Sequence, residues 1–110
     1  MKLIKSIIRP EKVDDVREAL AKLDIHGLIV MEVRGHGREK AHAAIYRGRE
    51  YTVSLLPKLA IEAVVDDDVV DEAVTAIMKA ARTGDSGDGR VVVMAVEHVY
   101  NIRTSETDIV

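Results

Sequence analysis

At 110 residues and 12.1 kDa the chain is long enough for one domain with a real core and too short for two. Charged residues make up 32% and no apolar run approaches the ~18–20 residues of a membrane span, so a soluble, cytoplasmic protein without membrane insertion is expected. A net charge of −3 gives no overall reason to expect a nucleic-acid partner, and a composition without cysteine excludes disulfides, thiolate metal ligands and thiol catalysis.

The opening MKLIKSIIR interleaves Ile and Leu with polar positions and predicts a strand that stops at Pro10, whose fixed φ suits the first turn of a helix. In PEKVDDVREALAKLD, Val13, Val16, Leu20 and Leu23 recur at helical spacing, predicting an amphipathic helix of about three to four turns, with Gly27 as its C-terminal break. A strand is expected from about 27 to 36. From Gly35 to about Leu56 no apolar period holds, and Arg34 to Glu50 carries five basic and two acidic residues, a local +3 in a chain of −3. So long a connection in a small domain is usually a working loop, and two of the three tyrosines, Tyr46 and Tyr51, fall inside it, placed for display. Pro57 closes the segment and KLAIEAVVD predicts another strand.

The run DDDVVDEAVTAIMKAAR predicts a second helix, with Val70, Ala73, Val74, Ile77 and Ala81 on one side and Asp66, Asp67 and Asp68 as cap and favourable N-terminal charge. After it, ARTGDSGDGR places three glycines, two aspartates and Arg90 between the helix and RVVVMAV, an interior strand by its valine content. Glycine lets backbone N–H groups approach an anion, so a phosphate cradle is one explanation of this loop and a plain turn is the other. A Walker loop is excluded, because Arg90 is followed by Val91 where Lys would be followed by Ser or Thr. EHVYNIRTSETDIV is a polar tail with some strand character. His26, His36, His42 and His98 lack carboxylates at a zinc spacing, and no metal site is expected from them. The order strand, helix, strand, long loop, strand, helix, strand is that of a ferredoxin-like α+β sandwich with one antiparallel sheet and two helices on one face. Its bare face, built from strands this apolar, predicts self-association through the sheet.

Four stretches, YRGREYTVSLLPK (46–58), ARTGDSGDGR (81–90), NIRT (101–104) and the opening from Arg9 to Leu20, together resemble the PII family of nitrogen signal-transduction proteins over essentially the whole chain. The resemblance implies a single domain, 1–110, whose double βαβ units form a homotrimer with sheets facing inward. It implies a T-loop at about 36–56, a B-loop at about 82–90 and a C-terminal loop and tail at about 98–110. Clefts between subunits would bind ATP or ADP, and 2-oxoglutarate would join through a Mg2+ ion bridging it to ATP. Carried across by position, Ile7, Gly35, Gly37, Glu62 and Val64 would line adenine and ribose. Arg38, Gly87, Asp88, Gly89, Arg90 and Arg103 would meet the phosphates, Arg103 from the neighbouring subunit. Glu39, Lys40, Ala41, Lys58 and Gly87 would surround 2-oxoglutarate, with Glu39 as the metal ligand. Tyr51 would be the target of a nucleotidyltransferase, and Arg47 would enter an ammonium channel. An ammonium channel, or an enzyme or regulator of nitrogen metabolism, would be the partner of the T-loop. Such a protein is a sensor and not an enzyme, slow ATP hydrolysis aside; no positioned base for catalysis is evident.

The chain also departs from the family's usual pattern. Glu39 stands for a glutamine and adds negative charge beside ATP and 2-oxoglutarate. Ala41 stands for a glycine, Ile29 for a threonine donor to adenine, Asp85 for a lysine, Ser86 for an isoleucine, Asn101 for a second phosphate-binding arginine, and Ala43–Ala44 for threonine-glutamate. Two readings follow: a nitrogen sensor responding to 2-oxoglutarate, and a related sensor that has lost that response and reports adenine-nucleotide state or another small anion.

Overall fold

The structure, a computed structural model, describes residues 1–36, 42–46, 49–53 and 55–110, and of 42–46 and 49–53 it describes the backbone alone. Strand β1 (Lys2–Ile8) ends at Arg9, which is held extended at φ −64°, ψ 140° as a residue before proline must be. Pro10–Lys12 form one 3-10 turn that runs into α1 (Val13–Ala21), and β2 (Ile29–Gly35) follows. The left-handed residue that stops α1 is Asp24 (φ 61°), not Gly27. The N–H of Ile25 returns to the carbonyl of Leu20 at 3.0 Å, the six-to-one bond of a Schellman stop, while Leu20 belongs to the core and Ile25, half-buried, packs against it.

Within the segment read from sequence as a loop lie two short antiparallel strands, β3 (His42–Tyr46) and β4 (Arg49–Val53), in register from His42 with Val53 to Tyr46 with Arg49. Then β5 (Leu56–Val65) passes through Pro57 and does not start after it. Proline is tolerated because β5 has only β2 beside it there, β1 beginning to pair at Leu59. A second 3-10 turn, Asp67–Val69, leads into α2 (Val70–Ala81), and β6 (Arg90–Ala95) closes the fold.

The main sheet runs β2-β5-β1-β6 with every pair antiparallel, and with the two helices it makes the expected ferredoxin-like α+β sandwich. Alternate residues of β1 and β5 face the helices: Ile4 and Ile8, and Ile61 and Val65, bury against Val16, Leu20, Ala73 and Ile77. Two further local expectations are corrected. The strand β6 is an edge strand, and its valine content does not place it inside the sheet: Val92, Val93 and Met94 are 38–42% exposed. The 3-10 turn before α2 has no side-chain cap from Asp66; Asp67 instead accepts from the N-terminal ammonium at 2.9 Å, which holds its carboxyl below the usual range.

The other face of the sheet carries Leu3, Ile7, Met31, Val64, Val92 and Met94, with one ion pair, Lys5 to Glu62 at 3.6 Å, in its middle. The main core cluster lies between sheet and helices, so Ile77→Ala should cost ~2–5 kcal/mol and Met78→Ala, one residue along on the exposed side of α2, under ~0.5 kcal/mol in urea unfolding.

Candidate functional site

At one end of the sheet four chain segments converge: the end of β1, Gly35 at the end of β2, the start of β5, and the loop 82–90 between α2 and β6. The loop is not open chain. Asp88 ties it into a ring, its Oδ2 accepting from the backbone N–H of Thr83 and of Gly84, each at 2.9 Å. Its Oδ1 accepts from the Thr83 hydroxyl and from Arg9 Nε, the latter at 3.0 Å. These donors, the Thr83 hydroxyl foremost, outweigh partial burial and hold the Asp88 carboxyl well below the usual carboxylate range. The Thr83 oxygen accepts in turn from the N–H of Asp85 at 3.2 Å.

Three anchors fix that ring to the sheet. Arg9 Nη2 donates to the Ser86 carbonyl at 2.8 Å, beside its bond to Asp88. Lys58, buried in β5, donates from Nζ to the Gly87 carbonyl at 2.7 Å. Gly89, at φ +101°, lies so close to β1 that a Cβ there would collide with the Ile7 carbonyl oxygen and come within 2.8 Å of its carbon. Gly84 and Gly87 also take positive φ, at 97° and 98°. Gly35 packs against Lys58 from the other side, its Cβ position 3.6 Å from Lys58 Cγ.

The structure therefore brings together Ile7, Gly35, Lys58, Gly87, Asp88 and Gly89, and Arg90, exposed, opens β6 opposite Ile7. Glu62 and Val64 lie further along the open face in a cleft of about 760 Å³ shared with Gly27, Ile29, Ile109 and Val110, and Ile7 and Gly35 are not in its lining. Arg103 stands apart on an exposed turn, and among the described residues no hydrogen bond or ion pair joins it to the 82–90 loop. That turn is made by Asn101, whose Oδ1 accepts from the N–H of Arg103 and of Thr104 at 3.0 Å each. Gly37, Arg38, Glu39, Lys40, Ala41 and Arg47 lie outside the described residues; Tyr51 lies on β4, its side chain also outside them. Among the described residues no three His, Asp or Glu side chains gather to hold a metal, and no helix is long and apolar enough to cross a membrane.

Residues 1–106 match the family described as nitrogen regulatory protein P-II. The chain belongs to that family. The nitrogen regulatory protein P-II of Rhizobium etli is 54% identical over 108 residues, 98% of this chain and 96% of the relative. The same identity and coverage hold for nitrogen regulatory protein P-II 1 of Escherichia coli and nitrogen regulatory protein P-II of Klebsiella oxytoca, all named as regulators.

Sequence reasoning did not single out two members of this cluster. Arg9 and Thr83 entered only as parts of family motifs, with no role of their own. The signal was present: a Thr-Gly and an Asp within a glycine-rich loop are the residue types that hydrogen-bond their own backbone. Asp85 and Ser86 enter the ring's hydrogen bonds only through backbone atoms.

Gly89→Ala should unfold the domain at markedly lower urea, a loss of ~3 kcal/mol or more, since backbone and not a flexible side chain blocks the new carbon. Gly84→Ala, with φ positive but open space around it, should cost only ~1–2 kcal/mol in the same assay. Because the Asp88 carboxyl is depressed on folding, its stabilisation is complete above the unfolded value near 3.9 and is lost as pH falls toward the folded one. The stability gap between wild type and Asp88→Asn should therefore be full at pH 6 and narrow below about pH 4.

Proposed function

We propose that this P-II protein is a cytoplasmic nitrogen-signalling sensor that binds ATP or ADP in clefts between the subunits of a homotrimer and regulates its targets through residues 36–56. The observation that best supports nucleotide binding is the ring at 82–90, already closed on itself with glycines at positive φ and with Lys58 and Arg90 beside it. Backbone N–H groups freed of side chains, with guanidinium and ammonium charge beside them, are what a polyphosphate requires. The apolar open face of the sheet and the edge strand β6 support assembly through that face, which would bring Arg103 of one copy toward the loop of the next.

In this reading Mg2+ would be held by Glu39 and the nucleotide phosphates, a hard-oxygen donor set that suits the ion, and 2-oxoglutarate would place a carboxylate on Lys58. Lys58 is suited to the task by its position beside both Gly35 and Gly87. Targets of the T-loop would be an ammonium channel or an enzyme or regulator of nitrogen metabolism, with Arg47 at the contact and Tyr51 open to nucleotidylation.

One observation favours the second reading, a sensor without a 2-oxoglutarate response. Asn101 caps its own turn and adds no positive charge at a position where the family often has arginine, while Glu39 adds a negative one. Calorimetric titration of ATP with Mg2+, with and without 2-oxoglutarate, on wild type and Glu39→Gln separates the two. Binding of 2-oxoglutarate to wild type only in the presence of Mg-ATP is the expected result for the first reading. Binding only to Glu39→Gln, or to neither, selects the second; absence of ATP and ADP binding overturns both.

A further inference from the structure

Arg9 stands outside every group of residues so far given to the ligands, yet it makes the only side-chain bridge among the described residues from the β1–α1 junction to the 82–90 loop. We propose that Arg9 is a positioning residue of the phosphate loop, and that the Asp88 carboxylate serves the loop and Arg9 and not the ligand or its metal; the inference rests on reading 82–90 as a phosphate loop.

The geometry of Asp88 carries the second half. A carboxylate offers about four lone-pair positions. Those of Asp88 are met by the Thr83 N–H, the Gly84 N–H, the Thr83 hydroxyl and Arg9 Nε. An incoming Mg2+ would have to displace one of these donors. An incoming phosphate would meet a like charge, were Arg9 not beside it. Arg9 thus does two things at once: one edge of its guanidinium grips Asp88 and the Ser86 carbonyl, and its charge cancels that of Asp88 where a polyanion would approach.

The sequence explains why an arginine can hold this post. Pro10 confines the Arg9 backbone to the extended region, so its side chain leaves β1 in one direction. Gly89 sits against the Ile7 carbonyl two residues before it, so the loop is already at the strand when Arg9 reaches Asp88. Arg9 and Asp88 are each about one-quarter exposed, a setting where the pair is partly shielded from water and the loss of one partner is felt.

The test combines a ligand-free and a ligand-bound measurement on Arg9→Met, Arg9→Lys, Asp88→Asn and the Arg9→Met/Asp88→Asn double variant of the full chain. In the ligand-free protein, Arg9→Met should speed hydrogen exchange of the amides from 83 to 89 and leave the helices unchanged. ATP should bind about tenfold more weakly to Arg9→Met, while AMP binding stays within about twofold, because only the longer phosphate chain depends on the loop. Arg9→Lys, which keeps a positive charge beside Asp88 but not the two-bond guanidinium edge, should recover only part of the loss, and remains informative if Arg9→Met folds poorly. The double variant should bind ATP within about twofold of the weaker single. Unchanged exchange in Arg9→Met overturns the inference, as does multiplication of the two single effects, which would put Arg9 on the phosphate itself. If wild type binds neither ATP nor ADP the proposed function fails, and the exchange data alone decide whether Arg9 holds the loop.

Discussion

The carbonyl of Ile7 and the α-carbon of Gly89 share a space that no side chain could enter, and the arrangement of the candidate site follows from that contact. It presses the loop between α2 and β6 against the last residues of β1. Once the loop is there, Asp88 lies within reach of Arg9, and the Gly87 carbonyl within reach of Lys58. Hydrogen bonds within the loop then fix its shape, while those from Arg9 and Lys58 fix its place. A loop built this way differs from a flexible glycine-rich turn: its cost in conformational entropy has been met by the folding of the sheet before any ligand arrives. The three glycines are consistent with this, since positive φ at 84, 87 and 89 lets backbone groups turn outward without strain.

The same sheet that supports the loop leaves its opposite face incomplete. Leu3, Met31, Val64, Val92 and Met94 form an apolar surface around the Lys5–Glu62 pair, too apolar to be an ordinary solvated face. A pair of opposite charges inside such a surface costs little while water reaches it and must remain matched when water leaves. In the proposed trimer the pair would supply register more than affinity. It also lies next to the cleft that holds Glu62, Val64 and Ile29, so assembly and completion of that cleft would be one event and not two.

The amphipathic periods of Val13 to Leu23 and Val70 to Ala81, and the alternation along β1 and β5, were legible because burial on one face imposes them. What was not legible was settled by tertiary contacts that leave no period. Valines at 91 to 93 read as interior because composition reports burial without saying by what; in the protomer they lie on an edge strand. Asp24 outbid Gly27 as the helix stop because Ile25 had to return to Leu20. The pairing of His42–Tyr46 with Arg49–Val53 was hidden because two strands of five residues are too short to show a period in the sequence. In the site, the glycines and Lys58 were recognisable from the family's spacing, whereas the use of Asp88 as a hub was not, because the same residue type in the same loop would equally serve a ligand.

That distinction changes how the charges near the loop should be weighed. Counted from the sequence, Asp85, Asp88 and Glu39 would oppose a polyphosphate while Arg38, Lys58, Arg90 and Arg103 would favour it. In the structure Arg9 cancels Asp88 at 3.0 Å, and Asp88 drops out of the sum. Asp85 is solvent-exposed, and salt screens an exposed charge over ~8–10 Å. Asn101 contributes no charge, but by capping the turn before Arg103 it limits the freedom that this arginine would lose on binding. The balance at a bound polyphosphate would therefore be more favourable than composition suggests, and the weight of the departures would fall on Glu39. Under the proposed function a carboxylate there would strengthen the hold on a divalent cation while repelling a second dianion, so its effect would be felt at 2-oxoglutarate far more than at the nucleotide.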